Sequence, residues 1–255
     1  MLIIPHWFGR LGNNIIQVQN AIHIALYHHH DKIQIPSHSF FNKTLIHFSV
    51  KTNSLDNIQD IFYYRDRIKN IDMNCFEKNH EKVKEILGNL FVMKKDIQEQ
   101  GDNDIIIHLR SGDIFTNHPH QSYIVPPLSF FVSILEKWTT KENIIVLAED
   151  DRNPILRELQ KRYPQLQWKK QSLEMDIGIL LGAKNVVESF GTFSISLFLF
   201  SQNIKKIYRP SYQISLEKEY FPNVEIEVVD LEEYRKLMFP WKNTKEQKKI
   251  MLEYK

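Results

Sequence analysis

The sequence predicts an α/β fold built around a parallel sheet, and three observations carry that expectation. From Ile105 to Tyr208, short apolar runs rich in β-branched residues alternate with amphipathic helical patterns. That βαβαβαβαβ order builds a parallel sheet with helices on both faces. Three turns containing glycine, Gly9–Asn14, His108–Asp113 and Glu188–Ser194, each follow a strand pattern, the place where an open α/β sheet holds its ligands. With 42% hydrophobic and 25% charged residues in 255, the chain also has enough apolar material for a real core, as one large domain or two small ones.

Taken in order, Leu2–Phe8 reads as a strand and Gly9-Arg10-Leu11-Gly12-Asn13-Asn14 as a tight turn opening a helix. Ile15, Val18, Ile22 and Ala25 recur at helical spacing and carry that helix to about Tyr27. His28, His29 and His30 follow at its end, where cationic side chains are favoured; consecutive helical side chains do not converge on one metal. Lys32–Pro36 is a second strand, and from Ser37 to Glu77 no regular pattern emerges. Lys78–Lys95 reads as a helix with Val83, Ile86, Leu87 and Leu90 on one face, and the polar run Gln98–Asp104 as a linker.

After the linker come strand Ile105–Leu109, a loop of His and Pro at residues 117–121, and a helix opened by Pro126-Pro127 with Leu128, Phe131, Val132, Leu135 and Trp138. Strand Asn143–Ala148 ends in Glu149-Asp150-Asp151; that acidic cluster reads first as solvated carboxylates at a helix start. Asn153-Pro154 makes a cap and first-turn pair for a helix through Tyr163, which Pro164 stops. Strand Leu166–Trp168, helix Leu173–Ala183, strand Asn185–Val187, a helix through Phe200 and strand Lys205–Tyr208 complete the series. Lys242–Lys255 is a lysine-rich helical tail, suited to solvent, to packing, or to an anionic membrane surface. The expected division is residues 1–101, residues 102–210, and an extension at 211–255 that packs back on the first part.

Several function classes drop out. A net charge of +2, from 33 basic and 31 acidic residues, does not suit nucleic acid as the main partner. There is no G-x-x-x-x-G-K-[ST] and no G-x-G-x-x-G after the first strand, which disfavours a P-loop NTPase and a dinucleotide oxidoreductase. Cys75 is the single cysteine, so neither an intrachain disulfide nor a thiolate metal cluster forms. No apolar run approaches the roughly 20 residues of a membrane span, and Met1–Pro5 does not read as a secretory signal. The expected location is cytoplasmic, with the inner face of the membrane as the alternative the tail offers.

What remains is an inventory for gripping a diphosphate without metal. His108 and Arg110 stand two apart at a strand end and point the same way. The arginine offers a fixed fork of donors that suits phosphate bidentately. Ser189, Thr192 and Ser194 bring hydroxyls to a helix start, and the Gly9–Asn14 turn permits close backbone approach, although two glycines serve a plain β–α turn equally well. Asp113, Glu149, His118 and His120 stand near strand ends as candidates for a general base. His118 and His120 lack a third ligand at helpful spacing, so no metal is expected.

Here the sequence resembles a known group. GRLGNN followed by an apolar helix is similar to the G-[GR]-[LF]-G-N-Q opening of α1,2-fucosyltransferases and their protein O-fucosyltransferase relatives. HLRSGD resembles their H-x-R-R-x-D signature, VLAEDD the acidic turn after the next strand, and LEMDIGILLGAKN with VVESFGTFS their third block. Four blocks in order span about two thirds of the chain. The resemblance implies a GT-B-like enzyme of two Rossmann-like halves with parallel sheets, the N-terminal half reduced. It implies an inverting, metal-independent transfer from a sugar nucleotide, usually GDP-fucose, to a glycan hydroxyl in surface polysaccharide or oligosaccharide synthesis, without other cofactor.

Carried over by residue, Arg110 would grip the donor β-phosphate and His108 would lie against nucleoside or phosphate. Gly9, Arg10, Gly12 and Asn13 would line the diphosphate; Ser189, Thr192, Phe193 and Ser194 would hold phosphates and nucleotide. The catalytic assignment is Arg110 on the leaving phosphate with Asp113, a candidate base by placement, and Asp176 matches the third block's aspartate. Ser111 replaces the signature's second arginine and Asn14 the usual glutamine, which opens the donor to another nucleotide sugar. A non-catalytic nucleotide- or carbohydrate-binding module is the alternative of a different class.

Overall fold

A computed structural model describes residues 1–48, 61–138, 143–214 and 216–255. The chain forms two compact units: Met1–Lys94 with Ile195–Phe200 and Glu217–Pro222, and Lys95–Ser194 with Ser201–Leu216 and Asn223–Lys255.

The first unit holds a small mixed sheet, β1 (Leu2–Ile3), β2 (Lys32–Gln34) and β3 (Leu45–His47). β1 and β2 run parallel and β2 and β3 antiparallel, with Leu2 opposite Ile33 and Ile33 opposite Ile46. Helix α1 (Leu11–Tyr27) ends where the spacing predicts but begins inside the expected Gly9–Asn14 turn, at Leu11. The predicted apolar face is buried, but so are Gln17, Asn20 and His23 on the other side. Gln17 and Asn20 serve irregular backbone. The Gln17 amide donates to the carbonyls of His6 (3.0 Å) and Ile61 (2.8 Å), and that of Asn20 to Phe62 (3.0 Å). Buried backbone groups need such partners, and side-chain amides supply them where the sheet is thin.

The histidine run ends α1. His28 and His30 donate their amides to Ile24 and Ala25 around a left-handed His29 (φ +57°), a Schellman closure with histidine where glycine is commoner. Helix α2 (His80–Leu90) buries Val83, Leu87 and Leu90 and is shorter than the 78–95 pattern suggests.

The second unit is a six-stranded parallel sheet: β4 (Ile105–His108), β5 (Ile144–Leu147), β6 (Leu166–Gln167), β7 (Asn185–Glu188), β8 (Lys206–Pro210) and β9 (Glu225–Val229), in spatial order β6-β5-β4-β7-β8-β9. Counted from the first strand of the unit this is 3-2-1-4-5-6, which places a topological switch point between β4 and β7. Helices α3 (Leu128–Lys137), α4 (Pro154–Arg162) and α5 (Leu173–Gly182) follow the predicted alternation, as does α6 (Thr192–Phe198), whose residues from Ile195 on belong to the first unit. Asn153 caps α4 as expected, accepting from the amide of Ile155 at 3.0 Å ahead of Pro154. Among the described residues no helix is long and apolar enough to cross a membrane.

Two expectations need correction. The 98–104 run is no free linker: Gln98 and Gln100 donate to the carbonyls of Gly178 and Gly182 on α5. A Cβ on Gly182 would come within 2.0 Å of the Gln98 carbonyl, so the glycine pair is what admits this segment. Beyond Arg209 the chain adds β9, α7 (Glu232–Met238) and α8 (Lys245–Glu253). Finally, of the 211–255 extension only Glu217–Pro222 belongs with the first unit. Tyr234, Met238, Trp241 and Met251 lie in the core of the second unit, with Ile250, Leu252 and Tyr254 packed against it. The apolar side of the tail helix is therefore used inside the protein, against α3 and α4.

Candidate functional site

At the switch point the ends of β4 and β7 are laced together. The amide of Ser189 donates to the carbonyl of His108 (3.1 Å), and the amide of Arg110 donates to the Ser189 hydroxyl (2.7 Å). His108, last residue of β4, lies opposite Leu147 on one side and Glu188 on the other. Its ring is buried, 5.2 Å from that of Phe193, and its Nδ1 has no hydrogen-bond partner. Burial first, and then the charge of Arg110, push its pKa down to about 3. At neutral pH His108 is thus an uncharged imidazole beside a guanidinium.

The Arg110 side chain is 18% exposed, donates through Nη2 to Asp113 Oδ1, and lies 5.9 Å from the ring centre of Tyr123. Asp113 is 45% exposed. The turn between them needs glycine at position 112. Its φ is +73°, and a Cβ there would fall 2.3 Å from the Glu149 carboxylate. The structure therefore brings His108, Arg110, Asp113, Ser189 and Phe193 to one end of the sheet.

A frame that the sequence reading missed holds this turn. Ser111 is 1% exposed. Its hydroxyl donates to Asp150 Oδ1 (2.5 Å) and accepts from the amide of Asn153 (3.2 Å). Asp150 also accepts from the amides of Gly112 (3.1 Å) and Arg152 (3.2 Å), and the Asn153 amide nitrogen donates to the Arg110 carbonyl (2.9 Å). Burial works against ionisation of Asp150, but these donors outweigh it and keep its pKa below the usual value. Where the resembled signature has a second arginine, this protein has a buried hydroxyl that ties two loops together. Asp150 is a structural acceptor rather than a solvated carboxylate; only the Asn-Pro cap beside it was a readable signal.

The loop after β7 is framed likewise. Ser194 is buried and donates to Glu188 Oε1 at 2.8 Å. Glu188 also faces Arg209 Nε (3.2 Å) and the Gln213 amide (3.4 Å), and Gln213 brackets Gly191 by accepting from its amide (3.3 Å) and donating to its carbonyl (3.1 Å). Burial raises the Glu188 pKa; Arg209 and the hydroxyl and amide donors pull against it. Of the hydroxyls expected on phosphate, those of Ser189 and Ser194 are thus built into the frame, and Thr192 opens α6 at intermediate exposure.

Further along, Trp241 donates its indole N–H to the Ile114 carbonyl (2.7 Å) and Tyr234 its hydroxyl to that of Val125 (3.0 Å). The tail thus buttresses the segment that continues from the Arg110 turn. Of the other base candidates, Glu149 lies beside Gly112, while His120 accepts from the Ser122 amide (3.3 Å) with its ring 4.8 Å from that of Tyr123. His118 is exposed in the same loop.

In the first unit, Gly9 and Arg10 end the β1–α1 turn, while Gly12 and Asn13 lie in the first turn of α1. Gly9 has φ +74° with the Asn13 amide folded against it, 2.1 Å from where a Cβ would stand. Arg10 is the extended cap residue, its carbonyl accepting the first helical bond from Asn14 (3.1 Å). Asn14, in the usual glutamine's place, is buried and donates to the Phe8 carbonyl (3.1 Å). Asp176, on α5, is held by the Gln171 amide (2.6 Å), and burial raises its pKa to about 6 despite that bond. Compared with the sequence models of known families and with curated proteins, the chain matches none.

Proposed function

We propose that this protein is an inverting glycosyltransferase of GT-B-like plan, its first half reduced, transferring a sugar from a nucleotide donor to a glycan hydroxyl. GDP-fucose is the donor the resemblance favours. The observation that carries the reading is the cation and neutral imidazole at the β4–β7 switch point of a 3-2-1-4-5-6 sheet, the crevice in which such sheets take nucleotides. As the acceptor oxygen bonds to the anomeric carbon, the bond from that carbon to the diphosphate oxygen breaks and leaves negative charge on phosphate. Arg110, preoriented by Asp113, neutralises that charge where it develops. When phosphate takes the guanidinium, Asp113 is released to accept the acceptor's proton. His108 donates or accepts a hydrogen bond to the donor without adding charge, and the framed loops keep both groups still.

The same observations give the second reading some weight. Arg110 already has a carboxylate partner and two serines serve the frame, an arrangement compatible with binding without turnover. The test is release of free nucleoside diphosphate or monophosphate from GDP-, UDP-, CDP- and CMP-sugars, with and without glycan acceptors. Acceptor-dependent release, reduced about a hundredfold in Arg110→Ala (~3 kcal/mol for one oxyanion-stabilising group) with the melting temperature kept, supports the transferase. Full activity of that variant refutes the role given to Arg110, and tight nucleotide binding with no release from any donor supports the binding module.

A further inference from the structure

Within the first unit, three metal-ligating side chains converge. His23 lies fully buried on α1, His80 is the first residue of α2, and Glu217 leads into the short turn Lys218–Tyr220. One donor atom of each lies within 4.8 Å of the others. His80 Nε2 stands 3.1 Å from Glu217 Oε2, and His23 Nε2 stands 2.5 Å from the Tyr220 hydroxyl. The other Glu217 oxygen is held by Arg65 (2.7 Å), which is itself fixed by Asn20 (3.0 Å) and by the Phe76 ring, 4.2 Å below its guanidinium. Nδ1 of His23 has no hydrogen bond of full geometry, with the backbone of Cys75 and Lys78 beside the ring.

We propose that His23, His80 and Glu217 bind one divalent transition-metal ion, Zn²⁺ by preference, which pins the Glu217–Pro222 segment to α1 and α2. Two imidazoles and a carboxylate are a donor set that zinc takes readily, with a fourth position for water or a hydroxyl; the Tyr220 hydroxyl is at hand for it. Calcium and magnesium need more oxygens than the cluster offers. Ligands about 2.0–2.1 Å from a tetrahedral zinc stand roughly 3.4 Å apart, so the His80–Glu217 pair, at 3.1 Å, is already close to that spacing, and the third ligand lies within 4.8 Å of both. Arg65 opposes the ion by charge, but it touches only Oε1, which makes Glu217 monodentate and fixes its direction as outer-shell partners do. The segment closed by the ion is long in sequence, the case in which a cross-link restrains the unfolded chain most.

The test is zinc titration of the untagged full chain by calorimetry and thermal melting, with Co²⁺ as a spectroscopic probe. A parallel variant, His28→Ala with His29→Ala and His30→Ala, removes the neighbouring histidine run as a competing site. The expected result is one zinc per chain, visible d–d absorption of the cobalt form, and a melting temperature that rises with zinc. All three persist in the triple variant and are lost in Glu217→Gln and in His80→Gln. Glu217→Gln keeps the shape and much of the hydrogen bonding, so it decides the matter should His80→Gln fail to fold. Binding that vanishes with the histidine run, survives Glu217→Gln, or leaves the melting temperature unmoved overturns the site and leaves a hydrogen-bonded cluster only.

Discussion

Replacing Ser111 with alanine removes one oxygen and nothing else, at a position 1% exposed. Two consequences follow from its bonds. Asp150 loses a hydroxyl donor at 2.5 Å, a bond to an ionised group, and the Asn153 amide loses its acceptor at 3.2 Å. A hydrogen bond to a charged group contributes about 1.5–3 kcal/mol, and a buried donor left unpaired costs about 1–3 kcal/mol. Asp150 keeps two backbone donors, so the lower parts of both ranges apply and the expected loss is about 3 kcal/mol. At about 2–4 °C per kcal/mol for a unit of this size, the melting temperature should fall by roughly 6–12 °C. A double-mutant cycle with Asp150→Asn isolates the pair: the two losses should be strongly less than additive. Because the Arg110 carbonyl is held by the same Asn153, nucleotide affinity should weaken as well. A variant that melts within a degree of the parent, or a cycle with no coupling, refutes the role given to this frame.

Asp176→Asn should stabilise the protein in a pH-dependent way. Burial raises the carboxyl from 3.8 to about 6, so the charge costs little below pH 3.8, where both folded and unfolded states are mostly protonated; its cost grows between 3.8 and about 6 and is level above that. At roughly 1.4 kcal/mol per pKa unit the gain at pH 7 is bounded near ~3 kcal/mol; an equal gain at pH 4 would contradict the cause. Two glycine-to-alanine changes in helices should have opposite signs. Gly88→Ala on α2 meets nothing within 4 Å and should stabilise by up to about 1 kcal/mol, whereas Gly182→Ala on α5 would meet the Gln98 carbonyl at 2.0 Å and should destabilise by about 1–3 kcal/mol. Denaturant unfolding of the pair distinguishes them.

The parallel core was legible because β4, β5 and β7 are short apolar runs set between helices with clear 3.6-residue spacing and real stop signals, such as Asn153-Pro154 and Pro164. β9 was not, since Glu225–Val229 alternates charge and apolar residues at the sheet edge and reads as loop. The tail's capping box, Thr244 with Gln247, was a usable signal that the lysines obscured. In the first unit, side-chain amides on α1 replace ladder bonds, and periodicity cannot reveal such partners. At the site, residue types foretold where His108, Arg110 and Ser189 stand, because strand ends are fixed by pattern. Which hydroxyls face a ligand and which are built into the frame depends on contacts between loops distant in sequence, such as Gln213 with Gly191, and no spacing rule encodes those.

The account rests on nucleotide recognition at the β4–β7 switch point. Titrating GDP into ¹⁵N-labelled protein while following backbone amide shifts tests this most directly. Saturable shifts concentrated at residues 108–113 and 189–193, abolished by Arg110→Ala, are the predicted result. Shifts centred elsewhere, or no response to GDP, UDP, CDP or CMP, would contradict it.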